Sequence, residues 1–435
     1  MESIPLYSSI PFVLMLLSIA LLPLFTPHFW ESNKNKLIVS LILGIPTAIY
    51  LIVTGFTHAL YHSLVFDYVP FMILLGGLFV ITGGIFVDGD VESKPLNNSI
   101  MIGIGGVLAS FMGTTGAAML MIRPVIHTIE RRQFKVHIIL FFIAIVANCG
   151  GLLTPIGDPP LFMMYLRGAP FEWFFRLTPE WFVTNSLLLI IFFIVDTHFW
   201  KKESEEIRRI EKESQIPIKI RGSQNFIFLF GVVASVAFLN KHYIPEIETN
   251  HYLGFIREGA IILMAVLSMI FTKKETRESN QFTWHPIEEV AFLFLGIFIT
   301  MVPCILYLEE NANHLGVNTP VLFYYFSGGL SSFLDNTPTA VTFYSLAEGL
   351  VKLDPSIIQN VEVVAGIPAK FMIAISTASV FFGSMTYIGN GPNFMVKAIA
   401  EHSGIKMPHF FEYMYKFSLI VLLPIFILVQ IIMIN

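Results

Sequence analysis

Residues 147–162 read ANCGGLLTPIGDPPLF, and residues 379–394 read SVFFGSMTYIGNGPNF. Aligned at an offset of 232 positions, the two stretches share Gly151/Gly383, Thr154/Thr386, Ile156/Ile388, Gly157/Gly389, Pro160/Pro392 and Phe162/Phe394. Both stretches interrupt an apolar run with Gly and Pro. Irregular backbone at membrane depth is tolerated only where protein or a water-filled cavity satisfies it. A matched pair of interrupted segments in two halves of a chain therefore points to a binding site between them.

The composition predicts a membrane protein. Of the 435 residues, 55% are hydrophobic and only 13% are charged, which is too little charge to cover the surface of a soluble protein of this length. Several apolar runs reach the roughly 20 residues that a helix needs to cross a bilayer. We therefore expect an all-α polytopic protein whose partner is the lipid bilayer, with no nucleic-acid partner.

The apolar runs predict about ten transmembrane helices. Two runs, 135–168 and 362–402, are too long for one straight helix and contain the interruptions, so we expect two broken helices. Uninterrupted spans are predicted near 8–26, 36–57, 67–88, 180–200, 226–240, 255–272, 286–308 and 412–434.

Two further apolar segments, 98–128 and 319–350, have a polar centre and are each predicted to form a re-entrant hairpin of two short helices. Their tips also resemble each other: LASFMGTTGAA at 108–118 aligns with LSSFLDNTPTA at 330–340, at an offset of 222. Because two pairs of similar segments occur in the same order along the chain, we predict two repeats, 1–200 and 226–435, joined by the charged linker 201–225.

The distribution of positive charge favours this topology. With the N-terminus outside, 20 of the 26 Lys and Arg fall on the inner side, as the positive-inside rule requires. The hairpins then enter from opposite faces, so the repeats are inverted. We expect a multi-pass protein of the cell membrane, such as a bacterial inner membrane, with both termini on the periplasmic side. The linker is expected to be a cytoplasmic amphipathic helix.

Two carboxylates lie at the predicted hairpin tips and helix breaks, one at each kind of position. Asp335 stands at the second hairpin tip, where the first has Gly113, and Asp158 stands at the first break, where the second has Asn390. An ionisable side chain at membrane depth is costly and marks function by default. Burial and a second nearby carboxylate both disfavour ionisation, so a facing pair would hold either protons or a cation such as Na⁺. The alternative is that each Asp caps the helix that follows it.

Polar residues around these points are predicted to line the cation or substrate site, or else to satisfy the freed backbone. They are Asn148, Thr154, Gly157, Thr114, Thr115, Asn336, Thr337, Thr339, Ser384, Thr386 and Asn390. Lys370 is a candidate charge partner of the carboxylates, although it could equally extend to the interface. Apart from Na⁺ and H⁺ as coupling ions, no cofactor is expected.

The sequence resembles a known group at these motifs. Residues 150–160 resemble the GG-x-x-TPIGDPP element of the NhaD-type sodium/proton antiporters, and residues 334–339 resemble their LDN-x-P element. Pro11-Phe12-Val13-Leu14 and His28-Phe29-Trp30-Glu31 are similar to the related citrate transport branch of the same ion transporter superfamily. The resemblance implies inverted repeats, two hairpins, a site at the middle of the membrane and a homodimer.

The hairpin tips differ from those of the dicarboxylate carriers, which have Ser-Asn-Thr where this chain has Gly-Thr-Thr and Asp-Asn-Thr. Asp335 would repel an anion unless a cation lay between them. The favoured hypothesis is therefore a secondary transporter that exchanges Na⁺ or Li⁺ for H⁺ by alternating access. The alternative is Na⁺- or H⁺-coupled transport of citrate or another carboxylate by the same fold.

Other classes fit less well. Two intramembrane Asp residues suggest an aspartyl protease, but such an enzyme requires a Gly-x-Gly-Asp run, and position 155 is Pro. A channel is disfavoured because two hairpin tips meeting between repeats favour an occluded site over a continuous pore. We therefore expect the protein not to be an enzyme.

Overall fold

The computed structural model describes residues 4–213 and 217–434, and nearly all of its regular structure is helical. In this part of the chain, nine helical stretches are long and apolar enough to cross a bilayer. They are Leu6–Pro23, Asn33–Val53, Thr57–Thr82, Pro95–Met112, Val136–Leu153, Phe171–Trp200, His251–Phe271, His285–His314 and Phe410–Met433. The chain is therefore a multi-pass membrane protein.

Seven of the eight uninterrupted spans predicted above overlap helices of spanning length. The eighth, near 226–240, is the shorter apolar helix Asn225–Phe238. The prediction for 67–88 was wrong at both ends, because that helix begins at Thr57 and residues Phe86–Asp88 form a strand. Pro95–Met112, predicted as one arm of a hairpin, is itself long enough to span.

The first half contains ten α-helices. They are α1 (Ile10–Phe25), α2 (Pro27–Trp30), α3 (Asn33–Val53), α4 (Thr57–His62), α5 (Val69–Thr82), α6 (Pro95–Met112), α7 (Thr114–Thr128), α8 (Val136–Ile145), α9 (Pro159–Leu166) and α10 (Thr178–Trp200). Helix α11 (Glu205–Glu213) lies in the linker.

The second half contains eleven α-helices. They are α12 (Asn225–Phe238), α13 (Glu246–Thr249), α14 (Phe255–Phe271), α15 (Lys274–Ser279), α16 (His285–Asn311), α17 (Pro320–Ser331), α18 (Asn336–Leu353), α19 (Ala369–Phe382), α20 (Gly391–His402), α21 (Phe410–Tyr413) and α22 (Leu423–Met433). The two halves interlock, because α3 of the first packs along α16 of the second, and α5 packs along α14.

Shorter elements complete the fold. The 3₁₀ segments are Leu6–Ser9, Cys149–Leu153, Phe171–Leu177, His251–Gly254, Ala312–His314, Pro355–Ile358 and Gly383–Met385. The π-helical segments are Ser63–Tyr68 and Met414–Leu422. Two antiparallel pairs join β1 (Phe86–Asp88) to β2 (Lys219–Arg221), and β3 (Val363–Val364) to β4 (Ile367–Pro368).

The linker is only partly the amphipathic helix that the sequence predicted. Helix α11 forms in its first part, but Lys219–Arg221 is a strand, because it pairs with Phe86–Asp88 of the first half. Residues 214–216 of the predicted helix lie outside the described residues.

Two pairs of consecutive helices fold back on themselves as helical hairpins. In the first, α6 and α7 reverse at Gly113, whose φ of +81° is readily adopted only by glycine. The arms run antiparallel, because Thr128 at the end of α7 lies beside Met101 near the start of α6, with 3.8 Å between Thr128 Oγ1 and Met101 Sδ. In the second hairpin, α17 and α18 are joined by residues 332–335, and the rings of Phe323 and Phe343 meet across the arms.

Both long apolar runs are interrupted as predicted. Helix α8 ends at Ile145 and α9 begins at Pro159, while α19 ends at Phe382 and α20 begins at Gly391. Each interruption contains one short 3₁₀ segment, at Cys149–Leu153 and Gly383–Met385. Proline at the first or second position of α9 and α20 suits a helix start, because its missing N–H would be unpaired there anyway.

The two interruptions make the same contacts with the two hairpins. The hydroxyl of Thr154 donates to the carbonyl of Ser110 at the first tip, and Thr386 donates to Ser332 at the second. Each threonine Oγ1 also accepts the amide two residues later, at 3.2 Å from Ile156 and 3.3 Å from Ile388. These equivalent bonds satisfy backbone groups that the helix breaks leave free.

Glycine permits the close backbone approach inside each interruption. A Cβ added to Gly157 would lie 2.0 Å from the carbonyl oxygen of Gly151, and one added to Gly389 would lie 2.6 Å from that of Gly383. No side chain fits at such distances. The glycines shared by the two sequence stretches are therefore required for a steric reason.

We predict that Gly389→Ala destabilises the protein, because its Cβ would also lie 2.8 Å from the Ser331 carbonyl. Overpacking of this kind costs about 1–3 kcal/mol, which should lower the apparent melting temperature of the purified protein in detergent. Gly391→Ala is the matched control, since no atom lies within 4 Å of its Cβ position. Equal melting temperatures for the two variants would contradict the steric explanation.

Candidate functional site

Asp158 is fully buried at the break between α8 and α9. It precedes α9 but makes no side-chain capping bond to it. Its Oδ1 instead accepts a hydrogen bond from Thr114 Oγ1 at 2.7 Å, and its Oδ2 accepts one from Asn336 Nδ2 at 2.8 Å. Asn390 Nδ2 lies 3.4 Å from Oδ1. One carboxylate thus connects both hairpins and both interruptions.

Each of these four residues stands at the start of a helix. Thr114 and Asn336 are the first residues of α7 and α18, while Asp158 and Asn390 immediately precede α9 and α20. A helix N-terminus has unpaired N–H groups and carries about half a positive charge. Four N-termini around one point favour negative charge there, whether that of Asp158 or that of a bound anion.

Asp335 plays a different structural part from Asp158. It is half-buried, and its Oδ1 accepts a hydrogen bond from the backbone N–H of Thr337 at 3.0 Å, which caps α18. Within residues 4–213 and 217–434, no hydrogen bond joins it to Asp158. The neighbouring residue Asn336, and not Asp335 itself, makes the hydrogen bond from this hairpin to Asp158.

Three asparagines link the two interruptions. Asn148 Nδ2 donates to Asn393 Oδ1 at 2.6 Å, and Asn148 Oδ1 accepts from Asn390 Nδ2 at 3.1 Å. Asn393 Nδ2 in turn donates to the carbonyls of Gly383 and Thr386, at 2.8 Å and 2.9 Å. This amide network holds Asn390 in place beside the buried carboxylate.

Most of the other predicted residues bond to the backbone. Thr154 and Thr386 contact the hairpin tips as described above, and the carbonyl of Gly157 accepts from the N–H of Thr114 at 2.8 Å. Thr339 donates to the Asp335 carbonyl at 3.0 Å, and Ser384 to that of Phe381 at 2.5 Å.

The remaining predicted residues lie at the edges of the site. Thr115 is half-buried as the second residue of α7, and Thr337 is buried as the second residue of α18. Lys370 is exposed at the start of α19, and it is not among the hydrogen-bond partners found for Asp158 and Asp335.

Sequence reasoning missed Asn393 as part of the site. Its counterpart at the offset of 232 is Leu161, so the pair differs in polarity at a matched position. A polar residue at a position where the matched helix has Leu could have indicated a buried hydrogen-bonding role for Asn393. The structure shows that Asn393 is fully buried, and a buried polar side chain needs hydrogen-bond partners. Ser110 and Ser332 were aligned at the tips, but their carbonyls, which accept from the threonines, could not be foreseen.

The described residues contain no cluster of three or more His, Cys, Asp or Glu side chains suited to a metal ion. Any cation at this site would instead find one carboxylate with hydroxyl, amide and carbonyl oxygens nearby. Such oxygen ligands suit hard cations.

A buried polar centre between broken helices, inside a bundle of membrane helices, is the architecture of a membrane transporter. Comparison with known families agrees with this class. The sequence profile of the family described as "Putative citrate transport" matches residues 1–434, and the chain belongs to that family. No curated protein gives a significant match.

We predict that Asn393→Leu destabilises the fold even though Leu occupies the matched position in the first half. The substitution would leave Asn148 Nδ2 without one acceptor and two buried carbonyls without a donor, at a cost of about 1–3 kcal/mol. The apparent melting temperature in detergent should fall. Asn313→Leu, at an exposed position, is the control. If both variants melted like the wild type, the amide network would not stabilise the interruption.

Proposed function

We propose that the protein is a secondary transporter that moves a small carboxylate such as citrate together with a coupling cation. The observation that carries this proposal is the meeting of four helix N-termini at Asp158. Their N–H groups and dipoles favour an anion at the centre of the protein. Membership of a citrate transport family supports the same substrate class.

The charge of Asp158 explains why a cation should accompany the substrate. The groups found to contact its carboxylate, from Thr114, Asn336 and Asn390, are all neutral. An ionised Asp158 would therefore repel an incoming carboxylate strongly in a buried, low-dielectric site. A proton or Na⁺ bound at Asp158 removes that repulsion, so substrate and cation bind together.

Asp158 and Asp335 receive different roles in this proposal. Asp158 carries the coupling ion, because its oxygens face both hairpins and are not used to cap a helix. Asp335 positions α18 by capping it, which places Asn336 on Asp158. A protonated carboxyl accepts fewer hydrogen bonds than a carboxylate. Protonation of Asp158 would therefore weaken its hydrogen bonds from the Thr114 hydroxyl and the Asn336 amide, and so its contacts with the two hairpins.

The architecture proposed from the sequence gives these contacts a transport role. We regard 1–200 and 226–435 as inverted repeats whose hairpins enter from opposite faces of the membrane, in a homodimer. The matching bonds from Thr154 to Ser110 and from Thr386 to Ser332 support a common ancestry of the halves. Relative movement of the repeats would expose Asp158 to each side in turn.

Na⁺/H⁺ antiport is the second candidate function. It is favoured by the presence of one fully buried carboxylate whose described hydrogen-bond partners include no Lys or Arg. Protons and Na⁺ would then compete for Asp158 alone, without a carboxylate substrate. The two functions differ in whether an anion is moved.

We predict that proteoliposomes containing the protein accumulate labelled citrate when an inward Na⁺ or H⁺ gradient is imposed. A pH dye inside the same vesicles measures proton movement on addition of NaCl, LiCl or choline citrate. Protein-free liposomes are the control. Citrate uptake that needs Na⁺ or a proton gradient is expected. Dye responses to NaCl and LiCl, with no citrate uptake, would refute the proposal and establish antiport instead.

We predict that Asp158→Asn lowers coupled transport at least a hundredfold, because it removes the only charge to which we assign ion binding. Asp335→Asn should keep rates within a few-fold of the wild type, since Asn caps helices about as well as Asp. The same proteoliposome assay, at matched protein levels, compares the two substitutions. Normal transport by Asp158→Asn would exclude its coupling role, and loss of transport in Asp335→Asn would show that its charge is needed.

A further inference from the structure

A second cavity lies at the far end of α9 from Asp158. It has a volume of about 350 Å³, within the usual range of small-molecule sites. It is formed by the end of α9 and the residues after it, by residues that follow α12, by α13 and α14, and by residues between 62 and 70. Helix α9 has eight residues and is therefore about 12 Å long. One short helix thus separates this cavity from the buried carboxylate.

Three basic side chains from three different elements line the cavity: Arg167 follows α9, Lys241 follows α12, and Arg257 lies on α14. Lys241 packs against the turn that ends α9, because a Cβ at Gly168 would lie 3.0 Å from its Nζ. In the described part of the chain, Lys241 has no ion pair within 4.0 Å, so its charge is free to meet a ligand.

Two acidic residues of the cavity balance the charges of the two arginines. Arg167 Nη2 lies 3.0 Å from Asp67 Oδ2, and Arg257 Nε lies 2.8 Å from Glu258 Oε1. Glu248, the third acidic residue of the wall, is exposed. The lining histidines are His62, His242 and His251, and His62 Nδ1 lies 3.8 Å from Asp67.

Two buried polar atoms of the cavity wall have no hydrogen-bond partner among the described residues. One is a donor, Arg167 Nε, and the other is an acceptor, Glu258 Oε2. A buried polar atom left unpaired costs about 1–3 kcal/mol. A ligand that offers both an acceptor and a donor would satisfy both atoms.

We propose that this cavity is a second binding site, specific for a small hydroxycarboxylate anion. Its carboxylates would accept from Arg167 Nε and from the Lys241 ammonium, while its hydroxyl would donate to Glu258 Oε2. The substrate class rests on the proposed function, with citrate as the probe. The site would hold the substrate at one end of α9 before it reaches Asp158 at the other.

Isothermal titration calorimetry on the purified protein in nanodiscs tests this site. Citrate is titrated into Asp158→Asn, which removes the carboxylate proposed to hold the coupling ion and leaves the cavity intact. Because a neutral side chain would still admit citrate at the centre, binding is assigned to the cavity only where Lys241→Gln weakens it and Lys274→Gln does not. Tricarballylate, which has the three carboxylates of citrate but no hydroxyl, is the matched ligand. Citrate should bind Asp158→Asn, and tricarballylate should bind it about tenfold more weakly, because it leaves Glu258 Oε2 unpaired.

Lys241→Gln in the same background should weaken citrate binding about tenfold, since it removes one charge-assisted hydrogen bond. Lys274→Gln, at an exposed lysine of α15, is the control and should bind like its parent. Equal affinities of the Lys241→Gln and Lys274→Gln variants, or equal affinities for the two ligands, would overturn the proposal.

The failure of this site and the failure of the proposed function are distinguishable. Citrate transport by the wild type, without citrate binding by Asp158→Asn, would overturn the second site alone. A wild type that neither transports nor binds citrate would overturn both.

Discussion

The burial of one carboxylate among four helix N-termini is the interaction on which the centre of this protein depends. Asp158 has no cationic partner among the groups found to contact it, so hydroxyl and amide donors and helix dipoles must offset the cost of taking it out of water. Those donors come from both hairpins and from the second interruption. A change in the charge of Asp158 therefore alters the hydrogen bonding of every element that meets there.

Backbone sterics make that arrangement possible. The chain approaches itself so closely at Gly157 and Gly389 that no side chain fits. The hydroxyls of Thr154 and Thr386 donate to the carbonyls of Ser110 and Ser332 at the hairpin tips. Equivalent residues in the two halves perform equivalent structural tasks. The non-equivalent residues, Asp158 opposite Asn390 and Leu161 opposite Asn393, are those that make the site asymmetric.

Sequence reasoning worked where physical constraints are local. Apolar length predicted the membrane helices, and paired Gly and Pro predicted the interruptions, because a broken helix at membrane depth tolerates few residue types. The start of the helix at Thr57 was missed because a π-helical segment at Ser63–Tyr68 continues it through a polar stretch. The strand at Lys219–Arg221 was missed because its partner, Phe86–Asp88, is far away in the chain.

The sequence by itself determined a helical membrane protein with two similar interruptions of its apolar runs and two carboxylates, Asp158 and Asp335, next to helix starts. These follow from hydrophobic length, glycine sterics and the cost of intramembrane charge. Only the tertiary structure decided which carboxylate is enclosed. Asp335 and Asp158 both precede helices, but Asp335 turns back to cap its own helix, while Asp158 meets Thr114 and Asn336 from distant parts of the chain. Local sequence cannot distinguish these outcomes, because the choice depends on donors that only folding brings together.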